Sequence, residues 1–180
     1  KYETIASQLM QSKVDLFIGG GEKYFNQRED GQNLLTTQDN PFEMVSSLEA
    51  FSSSNAQKVG YLTYADEPPK KSMDRTPALP DMLTATLKRL EADGKPFFVM
   101  AEASQIDWGG HANDLSYVVS EFTEFNQTIR VALNYAKENE NTLVVVTADH
   151  ETGGLALIKG NIKRNKVEGL FNTIGHSATM

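Results

Sequence analysis

The sequence predicts an α/β fold, a three-layer α/β/α arrangement around a mostly parallel central sheet. Three observations carry that reading. Short apolar runs alternate with helix-spaced stretches along the whole chain, in the order βαβαβαβ. The clearest of those runs is rich in β-branched residues with no polar alternation, as in strands covered on both faces. Hydrophobic residues make up 39% of 180 residues and charged residues 23%, enough apolar material for a core and the size of one domain. The order implies right-handed crossovers with helices on both sides of the sheet.

Taken in turn, Ile5, Leu9 and Met10 are spaced for a short amphipathic helix, and the run 14–18 reads as a strand ending at Gly19-Gly20-Gly21. Asn40-Pro41 has the form of an N-cap followed by proline at the first helical position, with Glu43 at N3. Phe42, Val45, Leu48 and Phe51 follow at helical spacing, so a helix is expected there, ended by Ser52-Ser53-Ser54-Asn55. Residues 59–64 form a second strand. Residues 66–77, polar, with prolines and two adjacent lysines, form an exposed loop. A helix is expected over 80–92 with Leu79, Leu83, Leu87 and Leu90 on one face, then a strand over 97–101. The longest helix covers 116–138, with Val118, Phe122, Phe125, Ile129, Ala132 and Ala136 as its buried stripe. TLVVVT at 142–147 closes the series as a buried strand.

Composition removes several classes of function. Lys plus Arg number 17 against 24 Asp plus Glu, a net charge of −7, which repels phosphate backbones and argues against general nucleic-acid binding. No apolar run approaches the roughly 20 residues of a membrane helix. The absence of cysteine excludes disulfides, thiolate metal sites and cysteine nucleophiles. The chain opens at Lys1 without a methionine, as the interior of a longer protein would.

Open α/β sheets bind ligands beyond the carboxyl ends of their strands, and two strand ends carry chemistry. The run 97–101 leads into Glu102, Asp107 and His111, and the run 142–147 leads into Asp149 and His150. Carboxylate oxygen and imidazole nitrogen are the zinc donors left when cysteine is absent, and carboxylates also suit magnesium. Gly109-Gly110 and Gly153-Gly154 permit tight turns beside these groups. A lone D-x-x-x-H means little, and an acid at a strand end is ordinarily a cap or a solvated residue. Asp-His after an apolar strand is more specific, because burying both is costly without a partner or a metal. Two of the three histidines lie in these segments, and the third, His176, follows Gly175.

FFVMAEASQIDWGGHAND (97–114), NTLVVVTADHETGGLAL (141–157), GHSATM (175–180) and the Gly-rich VDLFIGGGEKYF (14–25) together resemble the alkaline phosphatases, secreted metal-dependent phosphomonoesterases. The resemblance implies that Asp107, His111 and His176 hold a first zinc, Asp149 and His150 part of a second, and Glu102 a magnesium. It also implies phosphate monoester substrates, a periplasmic or extracellular setting and a possible homodimer. Residues 1–180 are then expected to be a single domain, part of a catalytic domain truncated at both ends. No segment matches the family's nucleophilic serine, its bridging aspartate or its phosphate-clamping arginine, so this piece alone is expected to be inactive. Ser104 and Ser177 lie beside expected ligands but outside any serine motif, and both are read as structural. Trp108 stands where some relatives carry a positive charge near the phosphate. Gly19-Gly20-Gly21 lacks the Lys-Ser/Thr of a phosphate loop and is read as a turn.

Two other readings stay open. Phosphodiesterases, sulfatases and phosphoglycerate mutases of the same superfamily share the D-x-x-x-H and D-H elements, although Glu102 five residues before Asp107 favours the phosphatase pattern. A non-catalytic metal-binding domain is the other.

Overall fold

The computed structural model describes residues 1–161 and 166–176. It divides into two compact units, residues 1–69 with 75–99, and residues 70–74 with the chain from 100 onward. No described helix is long and apolar enough to cross a membrane.

The first unit is built on a three-stranded parallel sheet. Strands β1 (Leu16–Gly19) and β2 (Glu43–Val45) flank β3 (Val59–Leu62), with Leu16 and Glu43 both in register with Val59. Side chains alternate along each strand between two cores. Phe17, Met44 and Leu62 pack with Ala6 and Met10 of α1 (Tyr2–Met10), Phe25 of α2 (Lys23–Asn26) and Phe42. Leu16, Ile18, Val45 and Tyr61 pack on the opposite side with Phe51 of α3 (Leu48–Ser53), Val59, and Ala85 of α4 (Leu79–Ala92). Two cores on alternating residues of one sheet are what an α/β/α sandwich requires. Gly60 leaves room at the centre for its neighbours, since a Cβ there would meet Phe17 Cζ at 2.5 Å and Met44 Sδ at 2.8 Å and would force those side chains to move. Arg89, only 4% exposed, ties α4 down by donating to Ala56 O at 2.6 Å and Asp93 Oδ1 at 2.8 Å.

Gly21, at φ +90°, is the left-handed turn that the triple glycine provides, and its N–H donates to Asp66 O at 2.9 Å. The helix expected behind Asn40-Pro41 is replaced by β2 and a later start. Asn40 Oδ1 instead accepts from Phe42 N at 2.9 Å, an Asx turn, and Ser47 caps α3 by accepting from Ala50 N at 3.1 Å. Phe42 and Val45 fit a three-residue spacing by coincidence, because they serve opposite faces of the sheet.

The second unit holds α5 (Gln105–His111), α6 (Leu115–Glu138) and an antiparallel pair, β4 (Ala156–Asn161) with β5 (Lys166–Leu170). Asp114 caps α6, its Oδ1 accepting from Tyr117 N at 3.0 Å. The expected stripe of α6 is corrected by the structure. Glu121, Glu124 and Thr128 are the buried residues, at 3%, 2% and 2% exposure, while Phe122 is 57% exposed. The 3₁₀ turn Lys71–Met73 accounts for this: Lys71 N donates to Glu121 Oε1 at 2.7 Å, and its ammonium reaches Glu124 Oε1 at 3.2 Å. Paired, hydrogen-bonded carboxylates tolerate a buried face that unpaired ones would not.

The runs 97–101 and 142–147, expected as strands, join no ladder among the described residues. Their side chains show the consequence: Phe98 is 90% and Leu143 86% exposed. A strand apolar on both faces needs neighbours along both edges, and no described residue pairs with either run in a ladder.

Candidate metal centre

Helix α5 sets the site. Asp107 and His111 stand four residues apart, hence on one helical face. The two glycines between them answer to packing. A Cβ on Gly109 would meet Val118 N at 2.9 Å, and one on Gly110 would meet Thr152 Cβ at 2.8 Å. Helix α5 therefore lies flush against both α6 and the segment that follows His150. Gly153, at φ +81°, continues the arrangement, donating from its N–H to Gly175 O at 2.9 Å while its carbonyl accepts from Asn172 N at 2.8 Å. That pair of bonds delivers His176.

Ligand atoms of Asp107, His111 and His176 all lie within 4.8 Å of one another. His111 Nε2 is 3.4 Å from Asp107 Oδ2, and His176 Nε2 is 3.5 Å from Asp107 Oδ1. The His111 and His176 ring centres are 5.2 Å apart. His111 Nδ1 sits 2.6 Å from the carbonyl of Ile174, an acceptor only, so that nitrogen carries the proton. In the neutral ring Nε2 then presents its lone pair to a carboxylate, an arrangement of electron pairs facing electron pairs. A cation held between them would resolve it. Bonds of about 2.0–2.2 Å from a tetrahedral zinc put ligand atoms about 3.3–3.6 Å apart, the range that both Asp107–imidazole distances occupy. A backbone carbonyl fixing the far nitrogen is also how metal-bound histidines are oriented. The donor set fits a divalent cation of the zinc type.

The remaining expected residues divide. His150 stacks on His176 at 4.0 Å between ring centres, and its Nε2 is 3.2 Å from Asp149 Oδ2. Asp149 is otherwise open to solvent, its side chain 84% exposed. Glu102 is exposed and stands outside the converging group. Ser104 is the exposed N-cap residue of α5 and makes no side-chain cap bond, Trp108 is 48% exposed, and Ser177 lies outside the described residues. Sequence reasoning missed two participants. One is the Ile174 carbonyl, for which the sequence holds no signal. The other is Thr152, whose hydroxyl donates to Asp107 Oδ1 at 2.5 Å. Its place two residues after His150, inside the glycine-flanked turn, is the signal that would have found it.

With this geometry in hand, comparison with known proteins is direct. The alkaline phosphatase family model matches residues 1–170. Alkaline phosphatase 4 of Bacillus subtilis is 38% identical over 148 residues, 81% of this chain and 32% of that protein. Alkaline phosphatase of Escherichia coli is 27% identical over 82% of this chain and 38% of its own length. Among solved structures, the alkaline phosphatase from the Antarctic bacterium TAB5 superposes with a TM-score of 0.87 at 38% identity, covering 98% of this chain and 54% of that one. The chain thus spans about a third of the length of its curated relatives and about half of the solved structure. With most of its length matched by the family model and its α/β layers superposing on a solved member, the chain belongs to the alkaline phosphatase family.

Proposed function

We propose that the protein containing this chain hydrolyses phosphate monoesters by a metal-dependent route, and that Asp107, His111 and His176 hold one zinc ion. The carrying observation is the convergence of two imidazole Nε2 atoms on one carboxylate at 3.4 and 3.5 Å, with the His111 lone pair aimed inward by Ile174 O. His150 and Asp149 would contribute to a second zinc and Glu102 to a magnesium; the 3.2 Å His150–Asp149 approach supports the former. A variant of the TAB5 enzyme has been solved with Mg bound, which supports divalent-metal chemistry here.

When bound, such ions supply Lewis acidity and charge stabilisation to both oxygens of an in-line phosphoryl transfer. The chain's own residues do the holding. Asp107 supplies the negative charge that offsets the cation, and His111 and His176 supply neutral donors that leave net positive charge for the substrate phosphate. Trp108, half-exposed next to Asp107, adds no cation, so this chain's contribution to phosphate attraction is through the metals it would hold. The nucleophile is assigned elsewhere in the protein, since Ser104 merely precedes α5. The reading extends, on the family resemblance, to residues 1–180 as part of one catalytic domain, a periplasmic or extracellular setting and a homodimer.

The test is a chromogenic ester assay of the full-length protein, comparing phosphate monoesters with diesters and sulfates, before and after chelation. Monoesters should be the best substrates, and His111→Ala should lower kcat/KM by at least the 10–100-fold that loss of metal affinity produces. Full activity in His111→Ala, or faster turnover of diesters or sulfates, would overturn the reading.

A further inference from the structure

We propose that Thr152 is a positioning residue whose single hydroxyl ties the Asp107 group to His150, so that the two halves of the metal centre are set together. The inference rests on the metal reading above. Thr152 Oγ1 is 2.5 Å from Asp107 Oδ1 and 3.3 Å from His150 Nδ1. A hydroxyl has one proton and two lone pairs, and an ionised carboxylate only accepts. The proton therefore goes to Asp107, and the hydroxyl oxygen is left to accept from His150 Nδ1–H. His150 Nδ1 also faces Glu151 O at 3.2 Å, a second acceptor, so both neighbours call for a proton on that nitrogen. Nε2, the other ring nitrogen, is the atom that lies 3.2 Å from Asp149.

The same bond orients Asp107. Oδ1 takes the hydroxyl on one side and faces His176, while Oδ2 faces His111. Rotation of the carboxylate would break the bond to Thr152, so each oxygen keeps its assigned imidazole. Thr152 itself has little freedom. Its Cβ and Cγ2 lie where a Cβ on Gly110 would fall, at 2.8 and 2.9 Å, and β-branching restricts its χ1. Its neighbour Gly153 is bonded to Gly175. The hydroxyl is thus held by packing between the two groups that it joins.

Chelator-competition titration of the full-length protein with Zn²⁺ tests this on wild type, Thr152→Val, Thr152→Ser and His111→Ala, with thermal melts of each metal-free protein. Valine matches threonine in shape, so Thr152→Val should melt near wild type. It should weaken both the tighter and the weaker zinc steps by about 10–100-fold, the usual effect of removing a group that orients a ligand. Thr152→Ser, which keeps the hydroxyl, should restore both. Wild-type binding in Thr152→Val, or weakening of one step alone, overturns the bridge even while His111→Ala abolishes the tighter step. Unchanged zinc binding in His111→Ala would instead overturn the underlying metal assignment.

Discussion

Gly110→Ala is a one-methyl change whose consequences can be worked through. The new Cβ would lie 2.8 Å from Thr152 Cβ, 2.9 Å from its Cγ2 and 3.0 Å from its backbone oxygen. Carbon pairs settle at about 3.5–4.0 Å, so α5 and Thr152 must separate by roughly 0.7 Å or more. Neither side gives easily, because one contact is backbone and the other a stiff β-branched side chain. Overpacking of this kind costs about 1–3 kcal/mol, and the better helix propensity of alanine returns up to about 1 kcal/mol. The net is roughly 0–3 kcal/mol of destabilisation, a fall in melting temperature of at most about 12 °C for a chain this size. The effect on the site is larger in kind. Moving Thr152 by that amount takes its 2.5 Å bond to Asp107 beyond the strong O–H···O range, and zinc affinity should drop about 10–100-fold. Melting of the metal-free protein and competition titration with Zn²⁺ read the two effects separately. A variant that melts higher than wild type and binds zinc equally well would refute the claim that Gly110 exists to admit Thr152.

Phe51 is fully buried at 0% exposure, so Phe51→Ala should cost about 3–5 kcal/mol, read as a lower urea midpoint at unchanged slope. Asp114→Ala removes the cap of α6 and should cost about 1 kcal/mol in the same assay. Asp66 is held down to about 2 from 3.8, first by its side-chain hydrogen bond with Glu67 and then by the Lys23 ammonium. A depressed carboxyl stabilises the fold above its unfolded value and loses that contribution on acidification. The stability gap between wild type and Asp66→Asn should therefore be constant above about pH 5 and close as pH falls from about 4 to about 2. A gap that persists at pH 2 would show that the Asp66 charge is not its source.

What the sequence revealed depended on how local each signal was. Helix α4 was legible because its leucines and its early proline act within the helix itself. Asp107 and His111 stand out in the sequence as residues following an apolar run and by the family resemblance, while helix α5, which puts them on one face, is not foreseen there because its two glycines read as a turn. Residues 43–45 were misread because FEMV satisfies both periodicities, and only pairing with β3 decides between them. The buried face of α6 was hidden in the same way: Glu121 and Glu124 are polar by composition, and their burial involves Lys71, some fifty positions earlier. The β4–β5 pair went unseen because Gly160-Asn161 interrupts its pattern. Thr152 has an ordinary side chain, and its role comes from the distance to Asp107 rather than from its type.

The bond between Gly153 and Gly175 has a consequence in time. His111 Nδ1 meets Ile174 O across 63 positions of sequence, so the centre closes a long loop rather than a local turn. Contacts of that separation form slowly, after helices such as α5 and α6 have their own hydrogen bonds. A newly made chain therefore carries Asp107 and His111 ready on one helix face while the third donor is still absent. Two donors grip a cation less firmly than three, so on the proposed assignment a half-finished molecule would hold zinc only weakly. Once the 171–176 stretch arrives, any ion gripped by all three residues fastens it like a clasp, because affinity for the closed form is stability of the closed form. Hydrogen exchange at Gly153 and Asn172 would then slow on zinc addition, making maturation of the centre and retention of this stretch one event.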